Sequence, residues 1–164
     1  MGKIGDVAIL MGSRNDWDVM KRAAETLKEF GVSFTARVLS AHRTPAAAIA
    51  FIQQAEQDGT RVFIAAAGMA AHLAGAVAAQ TTRPVLGVPL GASELNGLDA
   101  LLSTVQMPPG IPVGTLAIGK AGATNAALLA ISILALNRPE LDRALREFRK
   151  ARADAVLAEE LPGV

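Results

Sequence analysis

Short apolar runs alternating with segments of helical periodicity constrain this chain more than any other feature. Val7 to Met11 is uninterrupted in its apolar character and closes on Gly12-Ser13, the pattern of a strand covered on both faces in a parallel sheet. Trp17, Met20, Ala24 and Leu27 then recur at three- and four-residue spacing, with Asp16 and Asp18 in the first turn and Gly31 as the stop, which predicts a helix. Phe34 to Leu39 reads as a second strand, Pro45 to Asp58 as a helix opened by proline, and Val62 to Ala67 as a third strand. A short helix over Ala70 to Gln80 follows, then strands at Val85 to Val88, ended by Pro89, and at Val113 to Ile118. Right-handed crossovers between such strands predict an α/β three-layer sandwich of flavodoxin-like type with a central parallel sheet.

The 164 residues suit one domain, 1-164, with 139-164 as a C-terminal helix and tail. Ala121 to Leu136 is apolar nearly all round, yet it is shorter than the roughly 20 residues of a membrane span and carries Asn125 and Ser132, so a core or subunit-interface helix is expected. Beyond Pro139, a stripe of Leu141, Leu145, Phe148, Ala151 and Ala155 lies among Arg143, Arg146, Arg149, Lys150 and Arg152. This reads as a solvated basic face over a packing stripe that can dock on a neighbouring subunit.

Composition excludes several chemistries. With no cysteine, disulfides and thiol nucleophiles are ruled out, and a reducing compartment fits. Sixteen basic against fifteen acidic residues leave a net charge of +1, without the electrostatic footprint of a nucleic-acid binder. The start of the chain has no long apolar region or cleavage site, so a cytoplasmic protein with no membrane partner is expected. Two histidines without nearby cysteines or paired carboxylates make poor metal ligands. Gly119-Lys120-Ala121 lacks the order of a phosphate loop, and Gly68 to Gly75 lacks the dinucleotide pattern, so no metal or organic cofactor is expected.

Ligands of open α/β sheets bind beyond the carboxyl ends of the strands, and four segments there carry chemistry. Gly12-Ser13-Arg14-Asn15-Asp16 can offer amides and a hydroxyl to an anion, or can serve as an ordinary helix cap. Asp16 can accept hydrogen bonds from ribose hydroxyls. In Ser40-Ala41-His42-Arg43-Thr44-Pro45, His42 can exchange a proton near neutral pH and Arg43 can fork onto phosphate oxygens. Gly68-Met69-Ala70-Ala71-His72-Leu73-Ala74-Gly75 permits close backbone contact with a planar ligand, and His72 can either bind ligand or cap the following helix. Ser103 to Gly110, polar and proline-rich, is read as a loop able to cover a pocket.

Together these residues resemble the PurE family of purine biosynthesis. The likeness runs through Met11-Gly12-Ser13-Arg14-Asn15-Asp16-Trp17, Ser40 to Pro45, Ala70-Ala71-His72-Leu73, Pro84 to Pro89, Val105-Gln106-Met107-Pro108 and Gly114 to Leu129, in order over almost the whole chain. It implies the bacterial class, which moves a carboxylate of N5-carboxyaminoimidazole ribonucleotide from the exocyclic nitrogen to C4 of the imidazole. By motif position His42 would be the general acid/base, and Ser13, Asp16 and Arg43 would hold the ribose phosphate. Ser40, Gly68, Ala70, His72 and Leu73 would shape the pocket around the imidazole and the migrating carboxylate. The family is typically a homo-octamer, a destination for the surplus apolar helices. Met69 stands where this class usually has Gly, Ala74 where it has Pro, Ala76 where Met is common, Ala66 in place of Gly and Asn15 in place of Ser. The first matters if the backbone there has positive φ. Two other functions remain as alternatives: direct carboxylation of aminoimidazole ribonucleotide, and a catalytically silent nucleotide-binding module.

Overall fold

The computed structural model describes residues 2–161 and 163. Its elements are β1 (Val7–Met11), α1 (Trp17–Glu29), β2 (Phe34–Val38), α2 (Pro45–Asp58), β3 (Val62–Gly68), α3 (Leu73–Ala78), β4 (Val85–Leu90), α4 (Leu98–Val105), β5 (Gly114–Thr115), α5 (Gly119–Ala135) and α6 (Pro139–Leu157). All strand pairs are parallel, in the order β2-β1-β3-β4-β5, the flavodoxin-like order expected.

Alternation along the strands feeds two cores. On one face Val7, Ile9, Met11, Ile64 and Val88 meet Met20 and Leu27 of α1, Ala126, Ala130 and Ile131 of α5, and Leu141 and Leu145 of α6. On the other, Ala8, Leu10, Phe63 and Ala65 meet Phe51, Ile52 and Ala55 of α2 and Leu73 and Val77 of α3. Both faces of β1 and β3 are therefore covered, which is why those runs lack polar alternation. The apolar character of α5 is only half explained by this core, since Leu129 and Leu136 face outward. The stripe on α6 docks first within the chain: Phe148 packs edge-on against Phe30 with ring centroids 5.5 Å apart, and the Arg152 guanidinium lies 4.6 Å from the Phe148 centroid.

Four elements depart from the sequence reading, each for a local reason. Residues 98–105 form α4, so Ser103 to Val105 are helical rather than loop; Ala100 and Thr104 bury against the sheet, where Gly87 leaves room that a Cβ would take from the Thr104 methyl. β4 continues through Pro89 to Leu90. Proline is tolerated there because β5 pairs only with Leu86 and Gly87, so no partner beyond needs the missing N–H. β5 itself is two residues rather than six, because the chain turns back into α5, whose Gly122 lies so close to Ala117 that a Cβ would overlap the Ala117 carbonyl oxygen. α3 begins at Leu73 rather than Ala70, because the His72 amide bonds back to the Ala70 carbonyl at 2.8 Å in a tight three-residue turn that is not helical.

Candidate active site

The loops after β1, β2, β3 and β4 converge on one pocket of about 420 Å³, within the range of small-molecule sites. Its walls include every residue to which the family resemblance gives a role: Ser13 and Asp16 after β1, Ser40, His42 and Arg43 after β2, and Gly68, Ala70, His72 and Leu73 after β3.

The first wall is a turn that caps itself. Ser13 is extended (φ −147°, ψ 155°); its Oγ accepts the Asn15 N–H at 3.2 Å, and the Asp16 carboxylate accepts the Ser13 N–H at 2.8 Å. This capping box opens the 3-10 turn that leads into α1, so the helix-cap reading holds and the same residues line the pocket. Burial pushes the Asp16 carboxyl above its ordinary range; hydrogen bonds from the Ser13 and Gly12 amides and the Arg43 charge oppose that shift.

The second wall is tied to the first by Arg43, whose terminal Nη2 donates to the Gly12 carbonyl at 2.6 Å. The Arg43 amide and Nε both donate to Ser40 Oγ, at 3.2 and 3.4 Å, while Thr44 Oγ1 accepts from the Ser40 amide at 2.9 Å. Among the described residues Arg43 Nη1 has no hydrogen-bond partner. The guanidinium is thus held in a fixed plane with donors to spare for an anion.

The third wall brings the two histidines together. His42 Nε2 lies 2.8 Å from His72 Nδ1, with ring centroids 5.0 Å apart and planes at 85°. In this contact one nitrogen donates and the other accepts, so the pair shares a single proton along that line. His72 occupies the position before α3 but makes no side-chain cap; of its two open roles, capping is not the one its ring takes. Both rings remain exposed at the pocket, whereas Leu73 behind them is 2% exposed and anchors the loop in the core.

The sequence reading missed Ala92, in the loop after β4, and included the segment 103–110, none of which lines this pocket. Met107 of that segment packs on Gly75 of α3 instead: a Cβ on Gly75 would come within 3.1 Å of its sulfur. Ending β4 at Val88 concealed the fourth strand end, whose Gly91-Ala92 was the available signal. Among the described residues no three His, Asp or Glu side chains cluster as metal ligands, and no helix is long and apolar enough to cross a membrane.

Comparison with known proteins gives a consistent result. A family model described as AIR carboxylase matches residues 6–155. The N5-carboxyaminoimidazole ribonucleotide mutase of Brucella melitensis is 57% identical over 151 residues, covering 92% of this chain and 93% of its own length. The protein of the same name from Escherichia coli K12 is 56% identical over 151 residues, with 92% and 89% covered. That from Saccharolobus solfataricus is 52% identical over 155 residues, with 94% and 97% covered. The crystal structure of Treponema denticola PurE matches with a TM-score of 0.84 at 28% identity, over 92% of this chain and 93% of that one.

Proposed function

The chain belongs to the AIR carboxylase family, and from that premise we propose that it is an N5-carboxyaminoimidazole ribonucleotide mutase of purine biosynthesis, an isomerase with a small ribonucleotide as its substrate. The observation that carries the reading is the 2.8 Å His42–His72 contact in a pocket whose other walls are Ser13, Asp16 and Arg43. A proton-transfer group and an anion clamp thereby share one site of nucleotide size. Relatives more than half identical over nearly their full length, all of that name, support the mutase over direct carboxylation.

In the proposed reaction the bond between the exocyclic nitrogen and the carboxylate carbon breaks. Its electron pair stays on nitrogen, which takes a proton from His42, and CO2 is released into the pocket. The C4 carbon then attacks CO2, forming the new carbon–carbon bond, and His42 removes the C4 proton as aromaticity returns. Atoms and charge balance without an added oxidant or reductant, and one imidazole serves both transfers, so no metal or cofactor enters. Confining CO2 beside C4 turns a bimolecular capture into a nearly intramolecular one. Ser13, Asp16 and Arg43 hold the ribose phosphate in this scheme, while Ser40, Gly68, Ala70, His72 and Leu73 surround the imidazole and its carboxylate. A cytoplasmic homo-octamer accompanies the reading; the outward-facing Leu129 and Leu136 of the α5 segment support assembly.

The test is carbon-13 NMR of substrate labelled in its carboxylate, with unlabelled bicarbonate present. Label appearing at the C4 carboxylate above the uncatalysed rate is the expected result. Product formed from bicarbonate alone would make the chain a direct carboxylase, and ligand-dependent thermal stabilisation without turnover would leave a silent binding module.

A further inference from the structure

Met69 is one of two non-glycine residues with positive φ among those described, at 56°, and it lines the pocket that holds His42 and His72 while remaining 60% exposed. A left-handed backbone is strained for a long side chain, and glycine is the residue such a turn calls for. The conformation persists because the chain is pinned on both sides. Gly68 lies so close to the next loop that a Cβ there would come within 2.6 Å of the Ala92 Cβ and 3.2 Å of the Leu90 carbonyl oxygen. On the other side Ala71 and Leu73, each 2% exposed, are anchored in the interior. Strain retained in this way at a pocket mouth points to a role in the site. The exposed residue gains little from packing within the chain, which leaves its side chain available to whatever enters the pocket.

Resting on the mutase reading, we propose that Met69 is a positioning residue: an apolar cover that closes over the base end of the bound ribonucleotide and keeps released CO2 from escaping to water. The neighbours of Met69 in the chain, Gly68, Ala70 and His72, line the pocket together with His42, away in sequence from the Ser13–Asp16 turn. An unbranched thioether adapts to a flat ring and offers no hydrogen bonds to water, and CO2 is small, uncharged and easily lost through an open mouth.

The experiment has two arms on the full-length protein. In the first, carboxylate-labelled substrate is turned over in unlabelled bicarbonate by the parent and by M69G, M69A and M69L, and the labelled fraction of the product is measured. A several-fold fall in retained label is expected for M69G and M69A, with M69L close to the parent; M69G should also melt higher than M69A, since only glycine relieves the backbone. Equal retention in M69G and the parent, at equal folding, would overturn the proposal.

The second arm needs no turnover, so it stands if the mutase reading fails. Methionine ε-methyl groups are labelled with carbon-13, the Met69 resonance is assigned by its loss in M69A, and aminoimidazole ribonucleotide or ribose 5-phosphate is titrated in. The Met69 methyl should move with the former and stay with the latter. A methyl that responds to neither ligand, or responds only to dilution of an assembly, would refute the cover; absent label transfer in the parent with a moving methyl would refute the mutase alone.

Discussion

His42 Nε2 and His72 Nδ1, thirty residues apart in the chain, meet at 2.8 Å with their rings nearly perpendicular. A hydrogen bond between two imidazoles fixes which nitrogen of each ring is occupied, and thereby which edge of His42 is offered to a ligand. The contact joins the end of β2 to the start of α3 across the pocket, so neither loop can move without disturbing the proton carrier of the proposed reaction.

The two rings should behave as one unit. His42→Asn should lower kcat about 10²–10⁴-fold, the usual contribution of general acid–base catalysis, while binding of aminoimidazole ribonucleotide is largely retained. His72→Ala should lower kcat about 10²-fold through misorientation of His42, with a smaller change in KM. The double variant should be little worse than His42→Asn alone, because groups acting together are not additive. Steady-state kinetics and ligand titration check all three; multiplied losses in the double variant would separate the roles.

Arg43 braces Ser40 and the Gly12 carbonyl while lining the pocket, and that bracing can be told apart from the proposed anion contact. Arg43→Ala should weaken binding of the phosphorylated ligand by about 1.5–3 kcal/mol, the range for hydrogen bonds to charged groups. The corresponding nucleoside, without phosphate, should bind parent and variant alike when measured by calorimetry. Equal losses for nucleotide and nucleoside would assign Arg43 to bracing Gly12 and Ser40 instead.

Away from the site, Arg138 at the entry to α6 grips Asp6 before β1 through two hydrogen bonds, of 2.7 and 3.0 Å. Those bonds hold the Asp6 carboxyl below its ordinary value of 3.8, with a further hydrogen bond from the Ser33 hydroxyl and the Arg138 and Arg61 charges acting the same way against burial. A depressed carboxyl stabilises the fold fully above the unfolded value of 3.8 and loses that contribution as pH falls through the folded value. Because the pair is partly solvated, Arg138→Gln should cost only about 1 kcal/mol at neutral pH. Urea midpoints of parent and variant should differ near pH 7 and converge in strong acid. A constant gap across that range would assign the loss to packing of α6 rather than to charge.

Much of the fold is legible along the chain because strand and helix periods differ. Val7 to Met11 and Val62 to Ala67 are apolar without alternation because both faces of their strands are covered, and Gly31 and Gly59, both at positive φ, stop α1 and α2 where local sterics call for glycine. The candidate site was legible for the same reason: ligands gather at strand ends in this architecture, so Ser13, Ser40, His42, Arg43, Gly68 and His72 could be named together. What stayed hidden depends on close approach between distant segments. The helical state of residues 98–105 follows from burial of Ala100 and Thr104 beside Gly87, and the brevity of β5 from the pressing of Gly122 on Ala117.

By itself the sequence determined the order of the strands and of every helix but α4, and the chemical inventory of the pocket apart from Ala92, because hydrophobic period and side-chain type are local properties. Only the tertiary structure decided which nitrogen of His42 meets His72, that Arg43 spends one donor on Gly12, and that Met69 is held in a left-handed turn. Those outcomes arise from several loops competing for the same few ångströms at the end of the sheet, a constraint that no single segment carries.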